Sequence, residues 1–257
     1  MVVDTKKDTK TVTFQNVSDF KKYLEKNRNS DNQRTLFRND IWTGTETWAE
    51  FETYLEEGNK EATKSIKEYT KLYVDKFEQL YTSNIGYEFD VTGEFFDIGA
   101  VMVGEPEAWI KQIEIKDEKF IEINIQGTYP HNANLEIVKQ NASKLLAIAS
   151  VLDSQGFSVR LNMVFRQKKC AKRGKVKNLD VFIPIKDYNQ PFDYKKMGIL
   201  VGVPFFRRGI FRVLEIEFGN NLSDNYGAMN AKDGDISLVS DSDISDLERM
   251  LSNDKVI

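Results

Sequence analysis

Hydrophobic and polar residues alternate with period two in some stretches of this chain and recur at steps of three and four in others, which predicts strands and helices in turn. Phe157, Val159, Leu161, Met163 and Phe165 form the clearest strand, and Leu179, Val181, Ile183 and Ile185 repeat the alternation after a loop, predicting a hairpin over 157–185. Ile121, Ile123 and Ile125, separated by Glu122 and Asn124, give another strand, and Ile113 and Ile115 begin one before it. Between these strands, 134–155 reads as a helix presenting Leu135, Val138, Ala142, Leu145, Ala149 and Leu152, closed by Gly156. Helical spacing also marks 17–27, with Phe20, Tyr23 and Leu24, and 60–81, with Ile66, Tyr69, Tyr73, Phe77 and Leu80. A helix capped by Thr45 or Thr47 carries Trp48, Phe51 and Leu55 and stops at Gly58, another lies around 193–201, and 204–218 begins helical and finishes as a strand. The aromatic stripe of 60–81 reads as core rather than as a base-stacking surface, because a buried helix face produces the same spacing.

The order β-β-α-β-β-α predicts an α+β fold: a mainly antiparallel or mixed sheet with helices on one face, preceded by a helical N-terminal region. Residues 1–10 read as a flexible arm, 11–84 as the helical region, with a short strand at its start, and 85–218 as the α+β core. Residues 219–257 read as an acidic tail, a loop followed by a short helix at 244–251. From Glu215 onward the chain has ten acids against three bases.

Composition narrows the classes. A chain of 257 residues, 40% hydrophobic and 12% aromatic, can bury one large core or two modest ones. No apolar run approaches the roughly 18 residues of a membrane span, and the polar first ten residues lack the apolar stretch of a secretory signal, so a soluble cytoplasmic protein is expected. Cys170 is the only cysteine, which precludes an internal disulfide and a thiolate zinc cage, and it reads as a bystander thiol in an exposed loop. The single histidine, His131, reads as a surface residue in a turn.

Charge adds the first candidate surface. Although the net charge is −4, residues 166–177 hold seven bases in twelve positions and no acid: Arg166, Lys168, Lys169, Lys172, Arg173, Lys175 and Lys177. Placed on a hairpin tip, this cluster fits phosphates or an acidic protein surface, and Arg207 and Arg208 extend it. The acidic stretch after it reads as a solvated tail, or, in a sharper reading, as a screen for the basic hairpin when no partner is bound.

A second constellation lies at 90–107, where five carboxylates and three glycines fall within eighteen residues. Asp90, Asp97, Glu105 and Glu107 are candidate ligands for Mg²⁺, the cofactor of a phosphodiester-cleaving or phosphodiester-joining enzyme. The alternative is structural: Asp90 and Asp97 cap backbone amides, Gly93, Gly99 and Gly104 permit turns, and Pro106 starts a helix. The structural reading is the one expected, and no cofactor is predicted outside the enzyme alternative.

Several runs carry a resemblance: Trp42-x-Gly44, then Trp48, Phe51 and Gly58; Asp90-Val91-x-Gly93-x-x-x-Asp97-Ile98 with Gly104-x-Pro106-Glu107; and Pro204-Phe205-Phe206-Arg207-Arg208-x-x-Phe211. Over most of residues 41–218 the chain resembles an uncharacterised family of tailed-phage and prophage proteins. The resemblance implies a phage origin and a role in the infected bacterial host, in its cytoplasm or with the virion, and carries no assigned activity. Where relatives have an Arg-Gly pair in the central helix this chain has Asn141 and Ala142, so no role of that arginine transfers. The expectation is a non-enzymatic binding protein that contacts DNA or RNA through the basic hairpin. The alternatives are an accessory or virion component acting on a host or phage protein, and the metal-dependent enzyme; no membrane partner is expected.

Overall fold

The computed structural model of the protein describes residues 1–28, 41–76, 84–92, 95–115, 119–130, 132–223, 228–229, 232 and 234–252. Its centre is a β-α-β unit. Strand β6 (Phe120–Gln126) runs parallel to β7 (Ser158–Gln167), with Ile123 opposite Leu161. Parallel neighbours need a crossover, which helix α5 (Leu135–Ser154) supplies after Asn134 caps it by accepting from the Glu136 amide at 3.0 Å. Strand β8 (Asn178–Lys186) returns antiparallel to β7 with an irregularity between Leu161 and Asn162, so the predicted hairpin is present. Val159, Leu161, Met163 and Phe165 turn to the helical layer while Arg160 and Asn162 are half-exposed on the other face.

The first ten residues depart from the expected arm. Strands β1 (Val2–Lys6) and β2 (Thr9–Thr13) form an antiparallel hairpin, and β2 lies parallel to β8 with Thr9 opposite Asn178. Here β-branched residues favour extension, and Val12 is fully buried. The sheet order is β1-β2-β8-β7-β6-β9, where β9 (Asp235–Ser237) comes from the segment expected to be a solvated tail. Leu238 and Ile244 from that segment enter the core, and Asn141 of α5 donates to the Leu238 carbonyl at 3.3 Å.

Helix α1 (Val17–Lys26) buries Phe20, Tyr23 and Leu24; α2 (Trp48–Glu57), capped by Thr47, buries Trp48, Phe51 and Leu55; α3 (Lys60–Lys76) buries Ala62, Ile66 and Tyr73. Phe77 and Leu80 lie outside the described residues. These helices share one core with the sheet rather than forming a separate body: Phe20 lies 5.3 Å from Phe205 between ring centres. Gly58 links α2 to α3 at φ +79°, where a Cβ would stand 2.9 Å from the Lys195 carbonyl oxygen, so glycine is required.

A smaller antiparallel sheet, ordered β3-β5-β4, contains β3 (Asn84–Asp90), β4 (Phe95–Phe96) and β5 (Trp109–Ile115), with the short helix α4 (Ile98–Val103) between β4 and β5. After α6 (Tyr194–Val201), a π-helical segment (Phe205–Ile210) runs directly into α7 (Phe211–Phe218). The predicted strand at the end of this stretch is therefore helical. Its apolar-polar alternation misled because Arg212 and Glu215 are fully buried and paired at 2.9 Å, which leaves no polar face. Helix α8 (Asp241–Ser252) completes the layer, and among the described residues no helix is long and apolar enough to cross a membrane.

Candidate functional site

The loop between β7 and β8 exposes Lys168, Lys169, Lys172, Arg173, Lys175 and Lys177. None of the six forms an ion pair among the described residues, so their charge is available at the surface. The backbone beneath them is tightly bound. Lys168 N–H donates to the Ala228 carbonyl at 2.8 Å, Lys172 N–H to Asn221 at 2.8 Å, and Ser223 N–H to Cys170 at 2.7 Å. The Asn221 side chain accepts from the Arg173 amide at 3.0 Å and donates to the Arg173 carbonyl at 2.7 Å. Bridge pairs join Gln167 to Met229 and Ala171 to Leu222. On the other side, the Asp8 carbonyl accepts from Lys177 N–H at 2.7 Å and Asn178 N–H at 2.9 Å. The loop is thus a fixed platform rather than a projecting tip.

That last contact adds cations the sequence reading assigned to an arm. Lys7 is exposed in the turn between β1 and β2 at φ +54°, immediately before Asp8, and Lys6, exposed at the end of β1, pairs with Asp4 at 3.7 Å. The K-K-D turn between runs of β-branched residues was the available signal.

Three predicted members do not join the surface. Arg166 is buried and bonds Asp180 of β8 at 3.0 Å and Asp235 of β9 at 2.5 Å, while Lys232 reaches Asp180 at 2.7 Å. Arg207 is buried beneath Trp42, donating to its carbonyl at 3.1 Å, and Arg208 is fully buried, donating to Thr43 Oγ1 at 2.8 Å and the Thr45 carbonyl at 2.6 Å. Each is held inside by partners that replace its hydration, so none is free to meet a ligand. Cys170 also proves buried rather than exposed, and burial pushes its thiol up to about 12. Among the described residues of 219–257 no carboxylate pairs with the loop lysines: Asp235 pairs with the buried Arg166, and the backbone of the segment supports the loop.

At 90–107 the structural reading holds for Asp97 and Gly104, but Gly99 lies within α4 and Pro106 stands in a turn before β5 rather than starting a helix. Asp97 caps α4, its Oδ1 accepting from Ala100 N–H at 3.2 Å while its own N–H donates to the Ala108 carbonyl at 2.8 Å. Asp90 ends β3 opposite Trp109, Gly104 turns the chain at φ +81°, and Glu105 and Glu107 are exposed. Among the described residues no three His, Cys, Asp or Glu side chains are gathered as a metal site. His131 lies outside the described residues.

A family model described as a domain of unknown function, DUF7192, matches residues 4–249. No curated protein and no solved structure matches the chain.

Proposed function

The chain belongs to the DUF7192 family, a domain of unknown function, and on that premise we propose that it is a non-enzymatic protein that binds the phosphate backbone of DNA or RNA through the platform at 168–177. One observation carries this reading: six exposed cations, without acidic partners among the described residues, stand on a loop whose backbone is hydrogen-bonded on both sides. Phosphate contacts by lysine and arginine release counterions, so binding to such a surface weakens steeply with salt. A fixed backbone leaves only side chains to be ordered on binding, which favours association. Lys7 extends the same charge into the β1–β2 turn. We further propose a phage origin, as the resemblance of residues 41–218 implies, with the protein acting in the cytoplasm of the infected bacterium.

The test is a salt series of binding to labelled single- and double-stranded DNA and RNA, beside a variant with Lys168, Lys169, Lys172 and Arg173 changed to serine. The expected result is linear loss of log affinity with log salt. On a duplex the variant slope is expected to be shallower by about 3 to 4, at roughly 0.9 per lost phosphate contact. Absence of binding to all four probes at low salt would remove the reading.

A further inference from the structure

Helix α4 has no polar side chain, yet its large apolar residues face water. Ile98, Val101 and Met102 are spaced to share one helix face and are 66, 51 and 83% exposed, with Val103 beside them at 76%. Asp97 fixes the start of the helix and Gly104 turns the chain away at its end, so the same backbone bonds that define the helix hold this stripe outward. Val91 and Phe95, in the segment leading into the helix, are also exposed. Apolar side chains clustered in water in this way mark a contact surface.

The surrounding charge identifies what covers it. No lysine or arginine occurs between Lys76 and Lys111, whereas seven acids fall in that interval. Glu105 and Glu107, directly after the helix, are exposed. A second copy docked face to face would set these acids against one another. The cationic 168–177 loop of a second copy offers only the half-buried Val176 as an apolar side chain, so it would leave most of the stripe uncovered.

We infer that this face docks a basic amphipathic segment of another protein. Its apolar side chains cover Ile98, Val101 and Met102, and its lysines or arginines meet Glu105 and Glu107. The helix-in-groove mode of recognition uses the same pairing of an apolar stripe with flanking charge. The inference stands apart from the phosphate platform, because the two surfaces carry opposite charge and share no residue.

The experiment titrates the full chain into a fluorescent helical peptide of leucine and lysine, and into a leucine–glutamate counterpart with the same leucine stripe. The lysine peptide is expected to bind saturably and at least tenfold more tightly than the glutamate peptide. Met102→Lys combined with Val101→Ser, both at exposed positions, is expected to weaken it at least tenfold, while the four-serine platform variant retains it. Equal affinity for the two peptides, or binding unchanged in the Met102/Val101 variant, overturns the inference. A concentration-dependent dimer abolished by that variant also overturns it, assigning the face to a second copy. Adsorption to phosphatidylcholine and phosphatidylglycerol vesicles, abolished by the same variant, overturns it in favour of lipid.

Discussion

Arg166 and Asp180 occupy opposite positions in the β7–β8 ladder and bond at 3.0 Å in the interior, at the base of a loop whose other six cations are all exposed. The guanidinium also holds Asp235, so one buried cation joins β7, β8 and β9. Replacing it removes the ion pair of the nearly inaccessible Asp235 and leaves Asp180 with Lys232. Arg166→Met is expected to lower stability by about 3–5 kcal/mol in denaturant unfolding, the scale for breaking a buried pair from one side.

Glu215→Leu tests a second interior charge. Arg212 bonds Glu215 at 2.9 Å and donates to the Asn27 and Arg28 carbonyls, both at 2.9 Å, with both charged side chains fully buried. Loss of the carboxylate removes one side of a fully buried ion pair, and a similar cost of about 3–5 kcal/mol is expected. Thermal and denaturant midpoints should both fall.

Gly58→Ala probes the α2–α3 joint. At φ +79° and ψ −174° an alanine is strained whatever space it finds, and here the Lys195 carbonyl is in the way. A loss of about 1–3 kcal/mol is expected. An unchanged unfolding midpoint would contradict the assigned geometry.

The Cys170 thiol provides a pH dependence. Burial raises it from 9.0 to about 12, so the folded chain keeps a proton that the unfolded chain releases above the ordinary thiol range. Its contribution to stability is complete below about pH 9 and declines as pH rises toward 12. Burial also raises the Tyr54 and Tyr129 hydroxyls, which act in the same direction at higher pH. Denaturation midpoints across this range should fall more steeply for the wild type than for Cys170→Ala, and the native thiol should resist alkylation at pH 8.

The regular elements were legible where one side of an element is wet. The β7 and β8 alternation and the stripes of α1 and α2 reach the core as their spacing predicts. The arginines were misplaced because a run of charge says nothing about which members face inward. Arg166 shares strand phase with Arg160 and Asn162, but its partners come from β8 and from Asp235 far along the chain. Arg207 and Arg208 were misplaced because their acceptors are carbonyls and a hydroxyl from 42–45, which leave no mark in composition. The acids of the last segment suggested a solvated tail, while Ile236, Leu238 and Ile244, which seat it in the fold, are too sparse to form a periodic signal. Truncation after Gly219 is accordingly expected to unfold the protein rather than unmask the lysines, measurable as loss of the cooperative transition.

Strand order governs what can form while the chain is being synthesised. Strand β2 has its inner neighbour in β8, and β6 acquires its outer neighbour only in β9, near the end. An emerging chain therefore carries the β1–β2 hairpin without its docking strand for most of its synthesis, and the sheet closes only after residues 235–237 have left the ribosome. The 168–177 loop, whose backbone is fixed by Asp8 on one side and by Asn221, Leu222, Ser223 and Ala228 on the other, is among the last features to be completed.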